Sequence, residues 1–237
     1  MQYLIDASVY VFRAHYSIPD DMVDPKGYPI NALYGFCRFI GDFIEQVNPR
    51  RIGVLFDGSL SGSYRNEIYP EYKANREPAP PALKKQFEQC RRFVRLLGLM
   101  EAAYDMYEAD DLIGTLVVAG RDRGIPSTIV SRDKDLAQLV SEKDIFWDFS
   151  GKGKVSYSDI PKYFGVWPEQ IADFLALAGD SVDNIKGVPG IGRKTAIALL
   201  EKFGSLENIY NSLDLVKDMN LRGAKSVATK LDMHRDS

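Results

Sequence analysis

Two cysteines and two histidines are all that the 237 residues contain. His15 and His234 are too few for a His-rich zinc site and stand in unrelated contexts. Cys37 and Cys90 sit inside helix-like apolar patterns and read as buried thiols of a reducing compartment. No apolar run approaches the roughly 18 residues of a membrane span. The chain does not open with a basic stretch and apolar core, as a secretory signal would. No internal repeat, low-complexity tract or obvious clamp-docking peptide stands out. A large excess of positive charge is also missing: 30 Lys and Arg face 33 Asp and Glu, for a net −3. The expectation is a cytoplasmic protein without membrane contact, with one large domain or a main domain and a smaller one.

What is present is a repeated device. The run "YLID" (Tyr3 to Asp6) is apolar and ends in an acid, as does "RIGVLFDG" (Arg51 to Gly58), and "STIVSRDKD" (Ser127 to Asp135) ends in two. Each reads as a buried strand with carboxylates at its carboxyl end. Between them lie helix patterns: Leu33, Phe36, Cys37, Ile40, Ile44 and Val47, halted by Pro49, then Leu83, Phe87, Cys90, Val94 and Leu97. "LMEAAY" is a weaker strand, and "DIFWDFSGKGKVSY" (Asp144 to Tyr157) predicts two strands joined by a Gly-Lys-Gly turn. Strands alternating with helices predict an α/β domain around a mostly parallel sheet, with helices on both faces. Sites in such sheets gather beyond the carboxyl ends of the strands. From about Ser158 the signal is helical, broken by "GVPGIG" (Gly187 to Gly192). The expected division is an α/β domain over residues 1–165 and an all-helical region over 166–237.

"YEADDLIGTL" places Glu108, Asp110 and Asp111 within four positions at a helix start, more acid than the amide dipoles of a first turn need. Together the candidates are Asp6, Asp57, Glu108, Asp110, Asp111, Asp133, Asp135, Asp180 and Asp183. Nine converging carboxylates would repel one another and raise their own pKa values unless cations neutralised them. An all-oxygen donor set suits Mg²⁺ or Mn²⁺, and two such ions about 4 Å apart serve phosphodiester cleavage. Any single Asp in these places is more often a cap or turn residue. On the residues alone, a metal-dependent phosphoryl-transfer enzyme and other uses of the acids stay equally open. Setting nine ligands aside leaves the remaining chain at +6, compatible with a polyanionic substrate.

The stretches "LIDASVYVFRA", "VLFDG", "YPEYKANR", "YEADDLIGTL", "VSRDKDLAQLV" and "LALAGDSVDNIKGVPGIGRKTAIALLEKFGSLENIY" resemble the bacterial and phage 5′ nucleases, relatives of the 5′-nuclease domain of DNA polymerase I and of flap endonucleases. They occur in the family's order and cover nearly the whole chain. The resemblance implies a PIN-like 5′-nuclease fold with a helical arch at about residues 69–97 and a helix-hairpin-helix-type region at the C-terminal end. It places Asp6, Asp57, Glu108, Asp110 and Asp111 at a first Mg²⁺ (or Mn²⁺) and Asp133, Asp135, Asp180 and Asp183 towards a second. Lys73 and Arg76 match the family's basic pair at the scissile phosphate and Arg13 a phosphate contact, while Tyr72, beside the basic pair, is expected to stack on a base of the frayed end. Gly187, Gly190 and Gly192 would let backbone amides approach duplex phosphates, with Arg193 and Lys194 adding charge and a K⁺ held by loop carbonyls.

The implied activity is structure-selective 5′-3′ exonuclease and 5′-flap endonuclease cleavage of DNA, by a monomer, at flaps, nicks and 5′ single-stranded ends. Two rivals are weaker. A haloacid-dehalogenase-type phosphatase needs an Asp-x-Asp loop directly after the opening strand, where Asp6 is followed by Ala7 and Ser8. A non-enzymatic junction binder would have no use for the full set of acids. One departure stands out: relatives usually continue past the stretch "LRGAKSVATKLDMHRDS", whereas this chain stops at Ser237 in a helix-like pattern.

Overall fold

A computed structural model describes residues 1–59, 62–151 and 153–235. It divides into two compact units, residues 1–68 with 77–156, and residues 69–76 with 157–237. By internal packing the units divide at 156/157, and the short segment 69–76 groups with the helical unit.

In the first unit, strands β1 (Gln2–Asp6), β2 (Ile52–Leu55), β3 (Met100–Ala102), β4 (Ser127–Val130), β5 (Ile145–Asp148) and β6 (Gly153–Ser156) form one sheet in the order β3-β2-β1-β4-β5-β6. All neighbours run parallel except β5 and β6. The two closing strands were expected to turn through Gly-Lys-Gly; Lys152 lies outside the described residues. Consecutive strand residues such as Leu4 and Ile5, Val54 and Leu55, and Ile129 and Val130 are all buried. That is the mark of a parallel sheet covered on both faces, and it explains why these strands read as unbroken apolar runs.

The covering helices are α1 (Ala7–Ser17), α2 (Asn31–Val47), α4 (Pro81–Leu96) and α5 (Ala109–Arg121), while the single-turn α3 (Arg65–Ile68) buries none of its residues. One core gathers Tyr10 and Val11 of α1, Phe36, Ile40 and Phe43 of α2, and Leu83, Phe87, Cys90 and Val94 of α4 around Ile5, Val54 and Val130. Helix α5 packs on β1, β2 and β4, burying Ile113 and Val117 outside that core. Helix α4 corrects the expected arch. Its apolar stripe is buried in the core, with Leu83, Cys90 and Val94 fully covered, so α4 is a layer of the domain and not a free-standing element.

The second unit contains α6 (Ile160–Phe164), α7 (Ile171–Ala178), α8 (Arg193–Phe203), α9 (Leu206–Asn211), α10 (Leu213–Lys217) and α11 (Ala224–Met233). From α7 onward, successive helices pack on one another, and Leu177, Leu199, Leu200, Ile209, Val216 and Leu231 are all buried. Gly165 and Gly204 end α6 and α8 at positive φ, where a side chain would be strained. The final helix stops at Met233; the expected helical ending at Ser237 lies outside the described residues. Among the described residues, no helix is long and apolar enough to cross a membrane.

Candidate metal centre and phosphate-binding elements

The sheet order decides what meets. β2, β1 and β4 are adjacent and parallel, so their carboxyl ends deliver Asp6, Asp57 and Asp133 to one edge. Asp6 ends β1 and caps α1, accepting from the Val9 N–H at 3.4 Å. It is 2 % exposed, and its Oδ2 accepts from the Ser131 hydroxyl at 2.7 Å. Burial, and then the negative charges of Asp57 and Asp133, outweigh that hydrogen bond and push its pKa up to about 7. Asp57 is fixed twice: its N–H donates to Ser8 Oγ at 3.1 Å, and its Oδ1 accepts from the Ala109 N–H at 2.9 Å. That second bond seats the start of α5 against the end of β2. Asp133 accepts from the Asp135 N–H at 3.0 Å, opening the 3-10 turn Lys134–Leu139.

Glu108, buried, precedes α5, and its N–H donates to Asp111 Oδ2 at 2.9 Å. Both oxygens of Asp111 also accept from Arg65, Oδ1 at 2.8 Å and Oδ2 at 2.9 Å. Asp110 lies half-buried on the first turn of the same helix. Seven of the nine proposed ligands therefore belong to the first unit. Among the described residues, no three acidic, histidine or cysteine side chains stand close enough together to enclose an ion as placed. The expected convergence is thus looser than nine carboxylates around a cage, because several are committed to backbone amides and to Arg65.

Asp180 and Asp183 belong to the second unit, in a loop closed by paired backbone hydrogen bonds between Asp180 and Ile185. Segment 69–76 clasps that loop. Asp183 Oδ1 accepts from Arg76 at 2.7 Å and lies 4.0 Å from the Lys73 ammonium; its Oδ2 accepts from the Tyr72 hydroxyl at 3.1 Å. Asn75 reaches the Ser181 carbonyl and Asn184 the Glu71 carbonyl. Burial raises the Asp183 pKa although Lys73, Arg76 and Tyr72 oppose it. One expectation needs correction here. Tyr72 is 7 % exposed, so its ring is not presented to a nucleotide base; burying the ring and satisfying its hydroxyl on Asp183 is the stronger demand. Lys73 and Arg76 do not stand free but share Asp183.

The glycine loop behaves unevenly. A Cβ on Gly187 would come within 2.3 Å of the Gly179 nitrogen, and one on Gly190 within 2.2 Å of the Lys230 ammonium. Both have positive φ, so both require glycine. Gly192 precedes α8 with open space around it. Arg193, expected at phosphate, donates instead to the Tyr163 and Phe164 carbonyls at the end of α6, and its guanidinium lies over Phe174. Carbonyls at a helix C-terminus lack intrahelical donors, and a guanidinium satisfies them well. Lys194 and Arg13 are exposed, as a phosphate contact requires.

Residues 1–164 match the family described as 5′-3′ exonuclease, N-terminal resolvase-like domain, and residues 166–237 its C-terminal SAM fold. A 5′-3′ exonuclease of Buchnera aphidicola is 34% identical over 98% of this chain and 81% of its own length. The chain belongs to the 5′-3′ exonuclease family. DNA polymerase I of Pseudomonas aeruginosa is 39% identical over 98% of the chain, which spans only 25% of that protein. The fold is that of the bacteriophage T5 flap endonuclease, solved as a pseudo-enzyme-product complex with DNA and metal ions. The TM-score is 0.76 at 22% identity, over 99% of this chain and 85% of the other.

The residues that hold this exonuclease-family site together were not all foreseen. Ser8, Ser131 and Arg65 position acids without being acids. A signal existed for Ser131, which stands two residues before Asp133 and accepts from its N–H at 2.8 Å; Ser8 gave none, being 49 residues from the Asp57 amide it accepts from. Arg65 carried none, because 46 residues separate it from Asp111.

Proposed function

We propose that this chain is a divalent-metal-dependent, structure-selective 5′ nuclease that hydrolyses DNA phosphodiesters near single-strand/double-strand junctions. The observation that carries the reading is Asp6. A carboxylate buried beside two others, with its proton held to about pH 7, is unfavourable in the bare protein and becomes favourable opposite a cation. The donor set fits a hard divalent ion, since every candidate ligand offers oxygen. Asp6, Asp57, Glu108, Asp110 and Asp111 would hold the first ion, and Asp133, Asp135, Asp180 and Asp183 would lean towards a second, with sharing between the two. When bound, Mg²⁺ or Mn²⁺ supplies an activated water and charge stabilisation on phosphodiester oxygens.

The chain's own residues do the rest. Ser131 and Val9 orient Asp6, and Ser8 and Ala109 fix Asp57, so the carboxylates are set before substrate arrives. Lys73 and Arg76, which share Asp183, bring positive charge for a scissile phosphate. The glycine loop with Lys194 grips duplex backbone without reading sequence, in the manner of a helix-hairpin-helix. A K⁺ on that loop belongs to the same proposal, although the Lys230 ammonium beside Gly190 already provides a positive charge there. We further place the protein as a cytoplasmic monomer acting in DNA replication and repair, in keeping with its two free thiols.

The test is a labelled 5′-flap duplex incubated with Mg²⁺ or with chelator. Cleavage at the junction in Mg²⁺, none with chelator, and none from Asp133→Asn despite retained DNA binding are the expected results. Wild-type rates from Asp133→Asn would overturn the assignment.

A further inference from the structure

Both oxygens of the Asp111 carboxylate are already engaged by donors. An ionised carboxylate offers about four lone-pair sites, two on each oxygen. Arg65 fills one on each oxygen in a two-pronged fork, at 2.8 and 2.9 Å. The Glu108 N–H takes a second on Oδ2 at 2.9 Å, and the Tyr64 hydroxyl approaches Oδ1 at 3.5 Å. The same guanidinium lies 3.9 Å from Glu108 Oε2, so one cation serves two of the proposed metal ligands. Its plane rests over the Tyr64 ring, 5.0 Å from the centroid, and its side chain is 28 % exposed. Of these donors, the Glu108 amide is fixed by α5 and Tyr64 is uncharged. Arg65 alone of the three is both positively charged and carried on a long side chain able to swing away.

We infer that Arg65 is the built-in counter-ion of the first metal position: it occupies Asp111 and neutralises Glu108 in the bare protein, and it leaves when a divalent ion enters. The inference rests on the metal-binding reading above. Metal entry is then an exchange of one cation for another. That exchange explains how buried acids are tolerated before the ion arrives. It also makes Arg65 a positioning residue whose grip sets metal affinity.

Calorimetric titration of the full chain with Mn²⁺ tests it, comparing wild type with Arg65→Gln and Arg65→Lys. Arg65→Gln should bind the first ion about tenfold more tightly, the size of one lost charge-assisted hydrogen bond. Arg65→Lys keeps the charge but cannot form the fork, so it should fall between the two. A purely electrostatic influence would leave Arg65→Lys at the wild-type value, and a purely structural tie between α3 and α5 would weaken binding in both variants. Either result overturns the inference. Independently, the Arg65 guanidinium ¹⁵N signals should report a restrained group in metal-free protein and a freely rotating one at saturating Mg²⁺; a fork that persists at saturation overturns it as well. Failure of the wild-type chain to bind Mn²⁺ would remove the nuclease metal site and this inference together. Normal binding with the fork intact would remove this inference alone.

Discussion

Asp57 is useful only because Gly58 follows it. A Cβ at Gly58 would fall 1.7 Å from the Tyr104 carbonyl oxygen, so the chain leaving β2 can pass that close only without a side chain. Gly58→Ala should destabilise the fold by about 1–3 kcal/mol, as overpacking does, and should weaken metal binding by displacing Asp57. Chemical denaturation and Mn²⁺ titration would check the two effects together. Asp144 is a residue of another kind, 1 % exposed and remote in purpose from the acids of the site. Although burial alone would raise its pKa, hydrogen bonds from Ser141, the Ser127 N–H and Arg121 hold it below the usual carboxylate range. The folded pKa is therefore lower than the unfolded one. The stability it contributes is fully present above about pH 4, the unfolded value, and is lost as pH falls through the folded value. Asp144→Asn should remove that portion of the acid-limb dependence, measurable as a flatter plot of unfolding free energy against pH below about 4.

Helix α4 shows how an element's role follows from its buried face. Its basic residues Arg91 and Arg95 pair with Glu101 of β3 at 2.6 and 2.9 Å, while Phe87 and Val94 lie in the core. Phe87→Ala should therefore cost about 3–5 kcal/mol of stability, the range for emptying a core aromatic. Arg95→Ala, half exposed, should cost about 0–1 kcal/mol. Thermal unfolding separates the two; equal small losses would mean that α4 is not a layer of the core.

For the whole molecule, the acids impose a linkage between metal and stability. If the bare protein tolerates buried Asp6 only by keeping its proton or by pairing acids with Arg65, a bound ion stabilises the folded state. At an Mg²⁺ concentration 100 times Kd, the gain should be about 2.7 kcal/mol. It should appear as a rise in Tm that chelator reverses, and no rise would place the acids outside any metal site.

Much of this was legible in the residues. The strands, α2, α4 and α5 are set by apolar periodicity and by punctuation at Pro49 and Pro81. The placing of Asp6, Asp57 and Asp133 follows from strands that are buried on both faces and must run parallel. Helix α1 and the turn after Asp133 were less visible, since each begins on the strand-end acid itself. Tertiary structure alone decided the partners. That Arg65 forks onto Asp111, that Tyr72 turns inward to Asp183, and that Arg193 caps α6 are contacts between distant positions. Each is chosen by which buried donor or acceptor would otherwise go unpaired. Local pattern determines where a carboxylate stands on its element, because propensity and burial act over a few residues. Which cation it meets is a long-range electrostatic choice, and only the packed chain makes it.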